Sequence, residues 1–202
     1  MKLYDTNRAP NPRRVRIFLA EKGVEVPLEP IDLGELENRQ PDFLAKNPMG
    51  TVPVLELDDG TCIAESVAIC RYFEGMHPTP PLMGVDARDS AVVEMWQRRM
   101  ELGVAIPIMQ CFQNTSDFFK SRIAQVPEYG AVCVENALKQ LSWLDELLGE
   151  REYVAGERYT IADITLLVGI DFGRVIQLRI PPEQKNLTRW HEAVSSRPSA
   201  KA

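Results

Sequence analysis

Glu65 and Ser66 stand side by side where a helical pattern of apolar residues begins, and their side chains suit binding of a small charged molecule. The free amides of a helix N-terminus, together with a serine hydroxyl, bind a carboxylate. A glutamate carboxylate holds an ammonium group. The pair therefore predicts recognition of an α-amino acid head group. An ordinary helix cap is the alternative interpretation, because acidic and hydroxyl residues favour helix starts in any protein.

Pro53 lies between a turn-forming stretch at 47–50 and the apolar pair Val54 and Leu55. A proline cannot donate to a β-ladder, so with a trans peptide bond this position is a strand edge. With a cis bond, the Val52–Pro53 peptide would instead present the Val52 amide and carbonyl to a ligand. An exposed peptide of that kind can pair antiparallel with another extended backbone. The sequence leaves both interpretations open.

The cysteines and histidines do not form a pattern that binds metal. The four cysteines form no CxxC pair and mostly lie in apolar runs, which predicts buried, reduced thiols; they are Cys62, Cys70, Cys111 and Cys133. With only His77 and His191 besides, no structural zinc site and no other metal is expected.

The bulk composition narrows the possible partners. The chain has 202 residues, of which 45% are hydrophobic, and carries a net charge of -6. That length allows one or two domains. The negative charge argues against nucleic acid or an anionic membrane as the main partner. No apolar run could span a bilayer, and the polar residues directly after Met1 do not fit a signal peptide, so we expect a cytoplasmic protein.

The elements that must position these residues alternate between short strands and helices over residues 1–80. A brief apolar start at 3–5 runs into a loop, after which Asn11 is expected to cap a helix that has Pro12 in its first turn. Gly23 is expected to end that helix. The two prolines within 24–33 allow at most an edge strand there.

The remaining elements of this part follow the same local signals. A short helix is expected at 41–46, followed by a hairpin of 52–57 and 61–64 around Asp58-Asp59-Gly60. Helical spacing returns at 65–73. The order β-α-β-α-β-β-α predicts an α/β domain with a mixed sheet.

A proline-rich stretch at 77–84 is the clearest linker in the chain. From about Ala87 onward the spacing is helical throughout. Residues 131–148 are one example, with an apolar face predicted at Val134, Leu138, Leu141, Leu144 and Leu148. We therefore expect two domains, an α/β domain at 1–80 and an all-α domain at 81–202.

The run 47–55, the hairpin after it and the segment Glu-Ser-Val-Ala-Ile at 65–69 together resemble the thioredoxin-fold half of cytosolic glutathione S-transferases. The segment 153–164 is similar to the buried capping box of that family, with Thr160 as N-cap and Asp163 at N3. Residues 187–198 resemble its last helix. The resemblance spans essentially the whole chain and implies a thioredoxin-like domain followed by a helical bundle, assembled as a homodimer.

The resemblance also implies a ligand and a reaction. Glutathione would be the co-substrate, with Glu65 and Ser66 holding its γ-glutamyl end and Val52 and Pro53 docking its cysteinyl backbone. The reaction would be addition of the glutathione thiolate to a small hydrophobic electrophile. The electrophile would bind near 94–119, where we assign no individual residue.

The thiol-activating residue is where the sequence departs from the family. A free thiol has a pKa of about 8.5, and lowering it by about two units needs roughly 2.7 kcal/mol. The serine or cysteine of the theta-like, delta-like and omega-like classes falls on Ala9. The tyrosine of the alpha, mu and pi classes falls near Asp5, with Tyr4 one residue away and expected to face the other side of the strand. None of the usual groups is in place.

Asn11 is the residue that remains for this role. Its amide could donate to the sulfur, which would contribute about 1.5–3 kcal/mol, and a helix terminus would add roughly 0.3–1 kcal/mol. The loop is similar to that of the nu-class transferases, although Ala9 replaces their threonine. A plain helix cap is an equally good interpretation of Asn11.

Three further alternatives stay open at this point. Asn38 and Arg39 fall where many classes bind the glycyl carboxylate, so Arg39 could pair with it, although a solvated charged face explains the same residues. The chemistry could be glutathione-dependent disulfide reduction of the nu type instead of conjugation. Because Ala9 lacks a reactive group, the chain could also be a binding protein with this fold and no catalysis.

Overall fold

The computed structural model describes all residues, Met1–Ala202, and they form two compact units. The first unit comprises Met1–Leu82 together with Lys201–Ala202, and the second comprises Met83–Ala200. None of the helices combines the length and the apolar character that crossing a membrane requires.

The first unit is built on a four-stranded mixed sheet with the order β2-β1-β3-β4. The strands are β1 (Lys2–Asp5), β2 (Leu28–Pro30), β3 (Val54–Glu56) and β4 (Cys62–Ala64). β1 pairs in parallel with β2 and antiparallel with β3, and β3 pairs antiparallel with β4. The predicted hairpin and edge strand are therefore confirmed, and so is the expected thioredoxin-like arrangement.

Three helices complete the first unit: α1 (Pro10–Lys22), α2 (Pro41–Leu44) and α3 (Ser66–Met76). A short 3-10 turn at Glu37–Arg39 precedes α2. α1 packs against α3, and both supply fully buried side chains to the core; these include Val15, Phe18, Ile69 and Phe73. Gly23 ends α1 in the left-handed conformation, as its position in the sequence predicted.

The start of α1 corrects one prediction. The helix begins at Pro10, and Ala9 occupies the N-cap position without a side-chain cap. Asn11 therefore lies within the first turn and does not cap it. The reason is that a proline is equally acceptable at Pro10 and Pro12, since neither position needs an amide donor for the helix.

Tyr4 faces the side of the sheet that carries α2. Its ring packs edge-to-face on Phe43 at 5.9 Å, and its hydroxyl donates to Glu56 at 2.6 Å. The hydrogen bonds from Tyr4 and Lys46 hold the pKa of the Glu56 carboxyl below its ordinary value. Tyr4 thus contributes to packing, and the expectation that it points away from the α1 side is confirmed.

The second unit is helical: α4 (Ala87–Met100), α5 (Ile106–Thr115), α6 (Pro127–Leu148), α7 (Ile161–Phe172) and α8 (Lys185–Ser195). Short 3-10 turns lie at Asp117–Phe119, Gly173–Ile176 and Pro198–Lys201. Glu101–Ala105 form a π-helical segment that joins α4 directly to α5. α7 approaches this segment closely, because a Cβ on Gly169 would lie 3.2 Å from the backbone of Ala105.

The buried face of α6 differs from the predicted one. Leu141, Leu144 and Leu148 are buried as expected, but Leu138 is 37% exposed. Smaller residues, Cys133 and Ala137, occupy the buried positions instead. The buried positions 133, 137, 141, 144 and 148 follow the helical period, so the first half of the covered face lies one residue before the predicted one.

The start of α7 has the predicted capping box, which is completely buried. Asp163 accepts hydrogen bonds from the Thr160 amide at 3.0 Å, the Val154 amide at 2.9 Å and the Trp190 indole at 2.9 Å. Burial raises the pKa of Asp163 to about 6, against the effect of these three donors. This carboxyl group thereby connects α7, α8 and the loop before α7.

We expect Asp163→Asn to lower the free energy of unfolding by about 2–4 kcal/mol, because the new amide group would place a donor against a buried backbone donor. The loss should also depend on pH. The folded state holds the Asp163 proton more tightly than the unfolded chain, so the stabilising contribution of this proton is complete below pH 4 and is lost as pH rises through about 6.

Urea unfolding of both proteins between pH 4 and pH 7 checks this expectation. The stability advantage of the wild type should shrink as pH rises, and an advantage that grows would contradict it. Asp86→Asn is the matched control, since Asp86 caps the exposed start of α4 and asparagine caps equally well.

Candidate functional site

Glu65 and Ser66 mark the start of α3, and neither acts as an ordinary helix cap. α3 begins at Ser66, and the Glu65 side chain makes no cap hydrogen bond and is exposed. The Ser66 hydroxyl accepts a hydrogen bond from Arg14 instead. The capping interpretation of this pair is therefore wrong, and the Glu65 carboxylate is available to a ligand.

The backbone of Glu65 is strained. Its φ of 67° and ψ of 114° lie in a region that residues with a side chain rarely occupy. Such a conformation costs on the order of 1–3 kcal/mol and persists where the surrounding structure imposes it, often at functional sites. In this conformation the Glu65 side chain makes no hydrogen bond to the start of α3.

The peptide bond between Val52 and Pro53 is cis, so the structure matches the second of the two interpretations of this proline. β3 starts only at Val54. The amide and carbonyl of Val52 take part in none of the backbone hydrogen bonds that join loops and turns. The Val52 peptide therefore has one donor and one acceptor that the protein leaves unused.

The turn before Val52 is held by two asparagine side chains. The Asn47 amide donates to both oxygen atoms of Thr51, the carbonyl and the hydroxyl, at 2.9 Å each. The buried Asn38 donates to the Gly50 carbonyl at 2.7 Å. Asn38 therefore shapes this loop from within. The loop in turn fixes the direction in which the Val52 peptide faces.

Arg39 lies beside the same turn. Its Nη1 donates to the Met49 carbonyl at 3.3 Å, and it approaches Gly50 so closely that a Cβ there would lie 2.8 Å from that nitrogen. Gly50 also has a φ of 61°, and a Cβ there would lie 2.9 Å from the backbone carbonyl of Asn38, so this position requires glycine. Arg39 is exposed and has further donors directed to solvent.

Asn11 and Ser66 are brought together by a residue that the sequence reasoning missed. The Arg14 guanidinium is 1% exposed, and its Nη1 donates to Asn11 Oδ1 at 2.9 Å and to Ser66 Oγ at 2.6 Å. One nitrogen thus links α1 to the start of α3. A signal was present, because Arg14 shares the apolar face of α1 with Ile17 and Phe18, where a charged residue is unusual.

The free hydrogen-bond donors in the first turn of α1 both belong to Asn11. Pro10 and Pro12 have no amide hydrogen, and the Arg13 amide bonds to the Ala9 carbonyl at 3.4 Å. The backbone N–H of Asn11 has no partner in the protein, and neither does its side-chain Nδ2. The helix terminus therefore offers two donors, both on one residue.

Neither Asp5 nor the buried cysteines replace the missing residue at Ala9. Asp5 is engaged by Arg16, whose Nη1 lies 2.7 and 2.8 Å from its two carboxylate oxygens. The cysteines are unpaired, and burial raises the pKa of Cys70 to about 12 and that of Cys111 above its ordinary value. No group of three or more His, Cys, Asp or Glu side chains is placed to hold a metal ion.

Comparison with known proteins identifies the family. The profile described as "Glutathione S-transferase, N-terminal domain" matches residues 9–76, and the profile described as "Glutathione S-transferase, C-terminal domain" matches residues 108–198. The chain belongs to the glutathione S-transferase family. Glutathione S-transferase 2 of Saccharomyces cerevisiae is 40% identical over 205 residues, covering 100% of this chain and 88% of the yeast protein.

Solved structures of other glutathione S-transferases share the fold. The crystal structure of Gtt2 from Saccharomyces cerevisiae superimposes with a TM-score of 0.95 at 40% identity, covering 100% of this chain and 99% of the other. A Gtt2-class transferase of Vibrio parahaemolyticus gives 0.88 at 35% identity, covering 100% and 96%. This glutathione S-transferase is thus an enzyme with a thioredoxin-like domain followed by a helical domain, and its family uses glutathione as co-substrate.

Replacing Glu65 should separate stability from binding. Glu65→Gly removes both the strain and the carboxylate, so we expect the free energy of unfolding to rise by about 1 kcal/mol. Affinity for glutathione should fall by about 10-fold or more, because an ionic hydrogen bond is lost. Urea unfolding and calorimetric titration with glutathione measure the two effects.

Glu65→Gln is the matched variant for this experiment. It keeps the strained backbone and removes only the charge, so it should weaken glutathione binding without the gain in stability. Wild-type affinity in Glu65→Gly would contradict a role of this carboxylate in binding.

Proposed function

We propose that this transferase binds glutathione along residues 1–80 and adds its thiolate to a small hydrophobic electrophile. The observation that carries the proposal is the pair of free donors on Asn11, held through Arg14 to the start of α3. In this proposal residues 1–80 are the thioredoxin-like domain and residues 81–202 are the helical domain. The alternative of a binding protein without catalysis is set aside, since the family is one of enzymes.

The γ-glutamyl end of glutathione carries both an ammonium and a carboxylate. In our proposal the Glu65 carboxylate holds the ammonium, and the Ser66 hydroxyl with the amides at the start of α3 holds the carboxylate. This assignment is supported by the exposure of Glu65 and by the absence of any cap bond that would occupy it.

The cysteinyl and glycyl parts would follow along the chain. The unused amide and carbonyl of Val52, beside Pro53, would pair with the cysteinyl backbone. Arg39 would pair with the glycyl carboxylate, which its exposed donors allow. Asn38 is buried and its amide nitrogen donates to the Gly50 carbonyl, so we assign it a structural role.

Asn11 would act on the sulfur. Its Nδ2 and its backbone N–H stabilise the thiolate, and together they supply about the 2.7 kcal/mol that a pKa lower by two units requires. The proton leaves the thiol to solvent. The thiolate then forms the carbon–sulfur bond, and either a leaving group departs with its electron pair or the adduct takes up a proton.

Disulfide reduction is the second candidate, because the same donors activate the thiolate for attack on sulfur. In that reaction one glutathione thiolate displaces a thiolate from the disulfide, and a second glutathione resolves the mixed disulfide to glutathione disulfide. Turnover of chlorodinitrobenzene, a conjugation substrate, and of hydroxyethyl disulfide, a disulfide substrate, is compared. The faster reaction decides between conjugation and disulfide reduction.

The remaining assignments concern partners and location. We propose a cytoplasmic homodimer whose chemistry needs no metal and which has neither nucleic acid nor a membrane as a partner. The net charge of -6 supports the exclusion of nucleic acid and of anionic membranes. One stripe along α4 and the π-helical segment supports the dimer, since Val92, Met95 and Leu102 are 36%, 40% and 52% exposed.

We expect Asn11→Ala to lower kcat with chlorodinitrobenzene by about 10- to 100-fold, because the side-chain donor to the developing thiolate is lost. The dissociation constant for glutathione should change by less than about threefold, since Asn11 acts on the thiolate more than on the bound thiol. Steady-state kinetics and calorimetric titration measure both.

Asn7→Ala is the control for that variant, because Asn7 is exposed in the loop that precedes α1. It should retain wild-type kinetics. An Asn11→Ala enzyme with unchanged kcat would remove Asn11 from the mechanism.

We expect Met95→Glu to shift the protein from dimer to monomer in sedimentation velocity experiments, because a buried carboxylate would face an apolar interface. Val175→Glu is the control, since Val175 is 40% exposed outside this stripe. A wild-type protein that sediments as a monomer would refute the dimer itself.

A further inference from the structure

We infer that Arg14 is a positioning residue that determines which atoms Asn11 and Ser66 present to glutathione. The inference rests on the proposed function, because it concerns the same site. It goes further in that this guanidinium fixes which hydrogen-bonding group each of the two residues turns toward the ligand.

The first observation is the position of Arg14. Arg14 is only 1% exposed, and a guanidinium is rarely buried without a specific set of acceptors. Two of its acceptors are Asn11 Oδ1 at 2.9 Å and Ser66 Oγ at 2.6 Å, both bound by the same Nη1 nitrogen. These are the residues that we propose for the thiol and for the γ-glutamyl carboxylate.

The second point is chemical. A guanidinium has donors only and accepts no hydrogen bond. An asparagine amide can in principle turn either its oxygen or its nitrogen to a neighbour, and the two orientations have nearly the same shape. Beside Arg14 the nitrogen-inward orientation would set donor against donor. Asn11 must therefore turn Oδ1 inward and Nδ2 outward.

The same reasoning applies to Ser66. Its hydroxyl oxygen accepts from Arg14, so the hydroxyl hydrogen points elsewhere. A serine in this state is a donor toward the ligand, which is what a carboxylate requires. Arg14 thus makes both of its neighbours donors on their ligand side.

This arrangement couples two ends of one ligand. When glutathione binds with its γ-glutamyl carboxylate at Ser66 and its thiolate at Asn11, a single Arg14 nitrogen orients the donors of both residues. Loss of Arg14 would leave Asn11 free to turn its oxygen outward, where it would repel a thiolate.

The test measures the pKa of the glutathione thiol bound to the enzyme, from thiolate absorbance as a function of pH. In Arg14→Met we expect that pKa to rise by about one unit and kcat with chlorodinitrobenzene to fall by about 10- to 100-fold. An unchanged thiol pKa in a folded Arg14→Met protein would overturn the inference. Arg16→Met is the matched control, since Arg16 lies on the same helix but pairs with Asp5.

A double-mutant cycle shows whether Arg14 acts through Asn11. In an Asn11→Ala background the Arg14→Met change should leave the thiol pKa unaltered, because no amide remains to be oriented. An equal rise in both backgrounds would mean that Arg14 acts by its charge alone, and this would overturn the inference. If Asn11→Ala itself left the thiol pKa unchanged, both the inference about Arg14 and the proposed role of Asn11 would fail. The proposed binding of glutathione at Glu65 would be unaffected by that result.

Asn11→Asp keeps the experiment decisive if Arg14→Met does not fold. The carboxylate preserves the contact with Arg14 and presents an oxygen outward, so we expect the thiol pKa to rise further than in Asn11→Ala. A thiol pKa at or below that of Asn11→Ala would overturn the inference. Circular dichroism and urea unfolding confirm that each variant is folded.

Discussion

The buried guanidinium of Arg14 is the interaction on which the rest of the candidate site depends. It stands between α1 and the first residue of α3, and it bonds to one residue on each. The family's usual hydroxyl or thiol is absent at Ala9, and we propose that amide donors stabilise the thiolate instead. Such donors are effective only when they are correctly oriented, and a neighbour that can only donate imposes that orientation. The arginine is therefore as much part of the site as the residues that face the ligand.

The rest of the first unit provides a rigid frame for the other contacts. Asn47 and Asn38 hold the turn that presents the Val52 peptide, each through its side-chain amide nitrogen. Glu65 is kept in a strained backbone conformation at the start of α3. In the second unit, Asp163 has the comparable structural role, since three donors from separate segments meet on its carboxyl group. In both units a few polar contacts fix the conformation of loops that apolar packing alone does not determine.

The sequence predicted the fold well because the decisive signals are local. Gly23, the Asp58-Asp59-Gly60 turn and the capping box each specify a backbone geometry, and each is found as predicted. Predictions failed where tertiary packing decides. Asn11 was expected to cap α1, but Pro10 is as good a helix start as Pro12. Leu138 was expected in the core, but Ala137 occupies the buried position and Leu138 is exposed. Arg14 was missed because its place on the apolar face of α1 does not reveal which acceptors on another helix it will find.

A crystal structure of the enzyme with bound glutathione tests the central claim most directly. The account predicts that the Asn11 Nδ2 lies within hydrogen-bonding distance of the glutathione sulfur, with Oδ1 still bound to Arg14 and the Ser66 hydroxyl donating to the γ-glutamyl carboxylate. A sulfur atom that contacts other groups and leaves the Asn11 amide unengaged would contradict it.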